Sequence, residues 1–195
     1  MNLLAHIYLS GASEKIAIGN FIADSVKGKK YLKYEEKIAK GILLHRAIDT
    51  FTDKHPVVMR STKRLYATQK RYAPVVVDIF YDHFLAKDWY KFHATPLQEF
   101  TSDFYEVLQQ YYTILPKRVQ DFLPYMIRED WLYNYSNLEG IARVLDGMAN
   151  RVKFKSNMDK AIIDLKRNYQ LFQEDFDVFF PEIIDKVRNQ FSNDL

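Results

Sequence analysis

The 195-residue chain has no cysteine, which excludes disulfides and thiolate metal sites. Glycine and proline number six each, too few for the tight turns of a many-stranded β-protein. No uninterrupted apolar run approaches the ~18 residues of a membrane span. The opening MNLLAHIYLSGASEK lacks the basic head and long apolar stretch of a secretory signal, so a cytoplasmic protein is expected. Excess charge is also scarce. A net charge of +3 without basic and aromatic residues interleaved argues against a nucleic-acid partner.

What the chain does have is apolar surface and helical period. Hydrophobic residues make up 48% and aromatics 15%, enough for one sizeable core. Long periodic runs with few breakers predict an all-α, single-domain helical bundle over residues 1–195. Helices are expected over 2–10, 15–27, 35–54, 57–72, 74–92, 97–112, 116–133, 137–149 and 157–192. Pro56 should end the helix before it, and Pro74 suits the first turn of a new one. Pro181 should break or kink the last.

Against that apolar background, GILLHRAIDTFTDKHP (41–56) is dense in ionisable groups. On a helix His45, Asp49 and Thr52 fall within about 60° of one another, beside the apolar stripe of Leu44, Ile48 and Phe51. A local His45–Asp49 or Arg46–Asp49 pair would account for this segment alone. A second segment, PVVVDIFYDHFLAKDW, is apolar all round its helix yet carries Asp78, Asp82 and His83. Burying an unpaired carboxylate costs several kcal/mol, so a cation should meet these two: an arginine or a divalent metal. Asp82 and His83 lie about 100° apart and need not serve one ion. His6 in NLLAHIYL and Asp24 in IAIGNFIADSVKG add further polar groups to apolar helices. All five histidines precede residue 94. Clustered imidazoles and carboxylates suit Mn²⁺, Mg²⁺ or Fe²⁺. Such an ion acidifies water and neutralises phosphate oxygens. The residues alone therefore point either to a metal-dependent phosphoester hydrolase or to a structural polar core.

The motifs NLLAH, GNFIADSVKG, GILLHRAIDTFTD, DIFYDHFL and LDGMANR occur in an order and spacing that resembles the acyl carrier protein phosphodiesterase (acyl carrier protein hydrolyase) family, from Met1 to about Arg151. That family is similar to the HD-type metal-dependent phosphohydrolases, as a non-standard branch. The resemblance implies an all-helical, HD-like fold, Mn²⁺, and cleavage of the phosphodiester between a carrier-protein serine and its 4′-phosphopantetheine arm. His6, Asp24, His45, Arg46, Asp49, Asp53, Asp78, Asp82 and His83 fall on its motif positions. The doublet here reads Asp82-His83, the reverse of the HD order, so individual ligands do not transfer one for one. The expected metal ligands are drawn from His6, Asp24, His45, Asp49 and Asp82. His83 or Asp78 would orient water or relay a proton, and Arg46 or Lys27 would balance phosphate charge.

From Lys54 through Val77 six bases stand with no acid, whereas the tail from Ser156 carries five bases and eight acids. On a wheel of residues 57–72, Arg60, Lys63, Arg64, Lys70 and Arg71 span about 120° opposite Val58, Leu65 and Tyr72. This stripe is the expected docking surface for an acidic carrier protein, the alternative being an ordinary solvated face. Two other functions are compatible with the sequence: hydrolysis of a small phosphoester or nucleotide at the same site, and a non-catalytic module that binds an acidic protein.

Overall fold

The structure, a computed structural model, describes residues 2–191; the outermost ends of the expected domain and the last position of the expected 157–192 helix lie outside them. It is a single all-α domain, with no strand among the described residues. The helices are α1 (Leu3–Tyr8), α2 (Glu14–Ile22), α3 (Glu36–Lys54), α4 (Pro56–Gln69), α5 (Ala73–Lys87), α6 (Leu97–Gln110), α7 (Lys117–Arg128), α8 (Trp131–Asn134), α9 (Leu138–Arg151), α10 (Ala161–Arg167) and α11 (Tyr169–Phe191). No helix among the described residues is long and apolar enough to cross a membrane.

The helix apolar on every side becomes the centre. In α5, Val76, Val77, Ile79, Phe80, Tyr81, Phe84 and Leu85 are all fully buried. The C-terminal helix α11 meets it through aromatic rings: Phe172 lies 5.1 Å from Phe80, and Phe176 5.7 Å from Tyr81, both edge-on.

The prolines divide in two. Pro56 and Pro74 open α4 and α5, where a missing N–H costs nothing. Pro124 and Pro181 instead lie inside α7 and α11. The expected break at Pro181 does not occur; the long C-terminal pattern breaks at Asn168, between α10 and α11. Burial of Phe172, Phe176, Phe179, Phe180 and Ile183 on both sides of Pro181 outweighs the hydrogen bond it removes. Three other expected helices are cut short by 3-10 turns at Ala23–Ser25, Lys70–Tyr72 and Trp89–Lys91, and the expected 116–133 helix is divided into α7 and α8. A further 3-10 segment, Gly28–Lys33, crosses the surface to α3.

One crossing positions the polar residues described below. Gly19 of α2 and Gly41 of α3 meet so closely that a Cβ on Gly41 would lie 2.1 Å from the Ile16 carbonyl oxygen, and one on Gly19 2.0 Å from that of Ile38. Only glycine fits at either position. The two backbones are thereby brought within reach of each other's side chains.

Candidate metal centre

Two imidazoles share one carboxylate at this crossing. His6 of α1 and His45 of α3 stack with ring centres 3.9 Å apart and planes 13° from parallel. Their Nε2 atoms face the two oxygens of Asp49: His6 lies 3.2 Å from Oδ1 and His45 3.1 Å from Oδ2. The Asp24 carboxylate, from the exposed turn after α2, approaches His45 Nε2 from another side at 3.4 Å. His6, His45 and Asp49 each offer a ligand atom within 4.8 Å of the other two. The i, i+4 spacing of His45 and Asp49 sets half of this geometry, and the packing of α1 and α2 against α3 sets the rest.

Asn20 orients the site. The His45 Nδ1–H donates to the Asn20 carbonyl at 2.8 Å, and a carbonyl can only accept, so Nδ1 must carry the proton. Nε2 is then the nitrogen left to bind a proton or a metal. The fully buried Asn20 amide donates to the His6 carbonyl at 2.8 Å and to Ser10 Oγ at 2.9 Å; Ser10 in turn donates to the His6 carbonyl. Asn20 Oδ1 also lies 3.2 Å from His45 Nδ1, so this one side chain ties α1 to α2 and α3. Asn20 was absent from the residues expected at the site. Its signal was an amide inside IAIGNFI, where a buried polar group has to be satisfied.

The charges are tightly coupled. Burial pulls the His45 pKa down, but hydrogen bonds to Asp24 and Asp49 prevail and raise it to about 9. Desolvation takes His6 the other way, to about 4, so it is neutral near pH 7. Burial raises Asp49, yet its bonds to both histidines win and hold it well below the usual carboxylate range. His45 likewise lowers Asp24. His6 Nδ1 is buried with no hydrogen-bond partner among the described residues. Neutral imidazole, imidazole with its second nitrogen fixed by a carbonyl, and carboxylate form a donor set suited to a divalent cation.

Other expected site residues have different occupations. Asp82, expected among the ligands, caps α1: its Oδ2 accepts from Leu4 N–H at 2.8 Å and its Oδ1 from Ala5 N–H at 3.2 Å. The positive end of a helix is the cation it meets, although burial still raises its pKa to about 7. His83, expected to act on water, has both ring nitrogens engaged: Nδ1–H donates to the Tyr135 carbonyl and Nε2 accepts from the Tyr169 hydroxyl, each at 2.8 Å. Arg46 lies under the surface segment, donating to the Val26 and Gly28 carbonyls at 2.9 and 2.8 Å and covering the Tyr31 ring. Asp78 is electrostatically coupled to Asp49 and Asp53, and burial raises its pKa. Asp53 and Asp78 line a groove of about 800 Å³ beside α4 and α5, with Val58, Met59, Tyr66 and Pro74.

The basic stripe of α4 is largely spoken for inside the molecule. Arg60 and Arg64 both pair with the buried Asp175 of α11, which also accepts from Ser61 Oγ at 2.6 Å. Arg71 stacks on Tyr72 and Phe154. Lys63 and Lys70 remain exposed, as does Lys27. The acid-poor and acid-rich stretches of the sequence therefore neutralise each other at these positions.

A family model described as acyl carrier protein phosphodiesterase matches residues 1–183. The chain is 32% identical to the acyl carrier protein phosphodiesterase of Photorhabdus laumondii, over 97% of this chain and 96% of that protein. It is 31% identical to the Yersinia enterocolitica protein of the same name, over 97% and 99%. It is 34% identical to that of Escherichia coli O6:H1, over 96% and 97%. No solved structure matches.

Proposed function

The chain belongs to the acyl carrier protein phosphodiesterase family, and from that premise we propose that it hydrolyses the phosphodiester joining a carrier-protein serine to its 4′-phosphopantetheine arm. The products are apo carrier protein and free 4′-phosphopantetheine. The observation that carries the reading is the meeting of His6, His45 and Asp49 within 4.8 Å, with Asp24 on the same His45 nitrogen.

His6, His45 and Asp49, with Asp24 beside them, would hold a divalent cation, Mn²⁺ in the first place and Mg²⁺ or Fe²⁺ as alternatives. Such an ion supplies Lewis acidity to the phosphate oxygens and makes water a readier nucleophile. The chain's own residues do the remaining work. Asn20 fixes the His45 tautomer and ties down the His6 backbone. Asp24, exposed at the rim, is placed to accept a proton from the attacking water. Asp78 keeps its proton to a higher pH than an ordinary carboxyl, which suits it to protonate the departing serine oxygen. Arg46 and His83 serve by holding the scaffold. A cytoplasmic setting belongs to the same reading.

The test incubates the purified protein with holo carrier protein, with and without Mn²⁺, and follows loss of the arm by mass spectrometry. Turnover should require the metal and disappear in His45→Ala and Asp24→Ala with helical content intact. Wild-type rates in both variants would refute the site.

A further inference from the structure

We propose that the lysine-rich 3-10 segment Gly28–Lys33, together with the groove that Arg46 lines, is the seat of the acidic carrier protein, in place of α4. The inference rests on the hydrolase reading above and names where its partner binds. The scissile bond lies on the carrier's own serine, so the carrier must sit against the rim of the site. Lys27 follows Asp24 by three residues, which limits their separation to about 11 Å of chain. Lys29, Lys30 and Lys33 follow, all exposed, and Leu32 stands 68% exposed among them. None of these four lysines has an ion pair among the described residues. Nearby acids do not cancel them: Glu35 is taken by Lys15 at 2.7 Å, and Glu36 by Lys40 at 3.2 Å.

Arg46 makes this surface continuous. It holds the Val26 and Gly28 carbonyls and also lines a groove of about 560 Å³. Lys54 and Lys186 add charge to that groove, while Ala47, Phe51 and Pro56 supply apolar lining. A positively charged rim over an apolar floor fits an amphipathic helix whose polar face is acidic. The α4 stripe is the poorer seat because Asp175 already neutralises Arg60 and Arg64.

The experiment measures binding of fluorescently labelled holo carrier protein by anisotropy, at two salt concentrations, to three proteins: wild type, Lys29→Glu/Lys30→Glu/Lys33→Glu, and Lys63→Glu/Lys70→Glu. All are checked for wild-type melting temperature. The triple variant should bind at least about tenfold more weakly and with a shallower salt dependence, with the Lys63/Lys70 pair near wild type. Should the triple variant misfold, the uncharged Lys29→Gln/Lys30→Gln/Lys33→Gln replaces it, with about threefold weakening expected. Unchanged affinity in the substituted segment, or weakening only in the Lys63/Lys70 pair, overturns the proposal. Wild-type binding without hydrolysis would overturn the catalytic reading and leave the docking surface standing; no wild-type binding overturns the docking surface.

Discussion

Gly41→Ala puts the α2–α3 crossing to a test in which two effects have opposite signs. Alanine is the better helix former by about 1 kcal/mol, so α3 considered alone gains stability. In the folded chain the new methyl would lie 2.1 Å from the Ile16 carbonyl oxygen, 2.8 Å from the Asn20 nitrogen and 2.9 Å from Gly19 Cα. Ordinary contact begins near 3.4 Å, so the helices must part by about 1.3 Å, and no flexible side chain is there to yield. Overpacking of this kind costs up to about 3 kcal/mol, leaving a net loss of about 2 kcal/mol. For a chain of this size that lowers Tm by about 4–8 °C. The same separation stretches the 2.8 Å bond between His45 Nδ1 and Asn20 to roughly 4 Å, and a displacement near 1 Å can cost about 100-fold in rate. Gly147→Ala is the control, because its Cβ meets nothing within 4 Å. Thermal unfolding by circular dichroism, with turnover measured well below Tm, reads both effects. If Gly41→Ala melts and reacts as Gly147→Ala does, the crossing does not position the site.

Asn20→Ala leaves the buried His6 carbonyl and Ser10 hydroxyl short of a donor, and should cost about 2–4 kcal/mol in denaturant titrations and at least tenfold in Mn²⁺ affinity. Asp82→Ala separates cap from ligand: about 2–3 kcal/mol of stability should go with the two α1 N–H bonds, while a calorimetric Mn²⁺ titration stays unchanged; a loss of affinity would restore Asp82 as a ligand. The His45 pKa is raised from 6.5 to about 9, so its stabilising charge is complete below pH 6.5 and fades as pH rises through 9. A metal must displace that proton, and Mn²⁺ affinity should climb with pH up to about 9; an NMR titration of metal-free protein placing His45 near 6.5 would contradict this. Asp175→Ala leaves Arg64 against the core without its partner and should cost about 2–3 kcal/mol, read as a lowered denaturant midpoint.

Much of the site was legible before any coordinates. A histidine and an aspartate four apart on one helix must share a face, and His45 and Asp49 do. Shared motifs placed His6 and Asp24 beside them. The partners of Asp82 and His83 were not legible because they are distant in sequence: Leu4 and Ala5 for the one, Tyr135 and Tyr169 for the other. The pairing of the α4 arginines was hidden for the same reason, since Asp175 lies more than a hundred residues away.

Sequence alone determined the all-helical architecture, the burial of α5 and the family, because period and motif order are local properties of the chain. Tertiary structure decided which carboxylate caps a helix and which faces two imidazoles. It also decided which cations are neutralised within the fold and which remain on its surface. The physical reason is that a charge is worth what its neighbours make it, and packing brings together neighbours that spacing along the chain does not reveal.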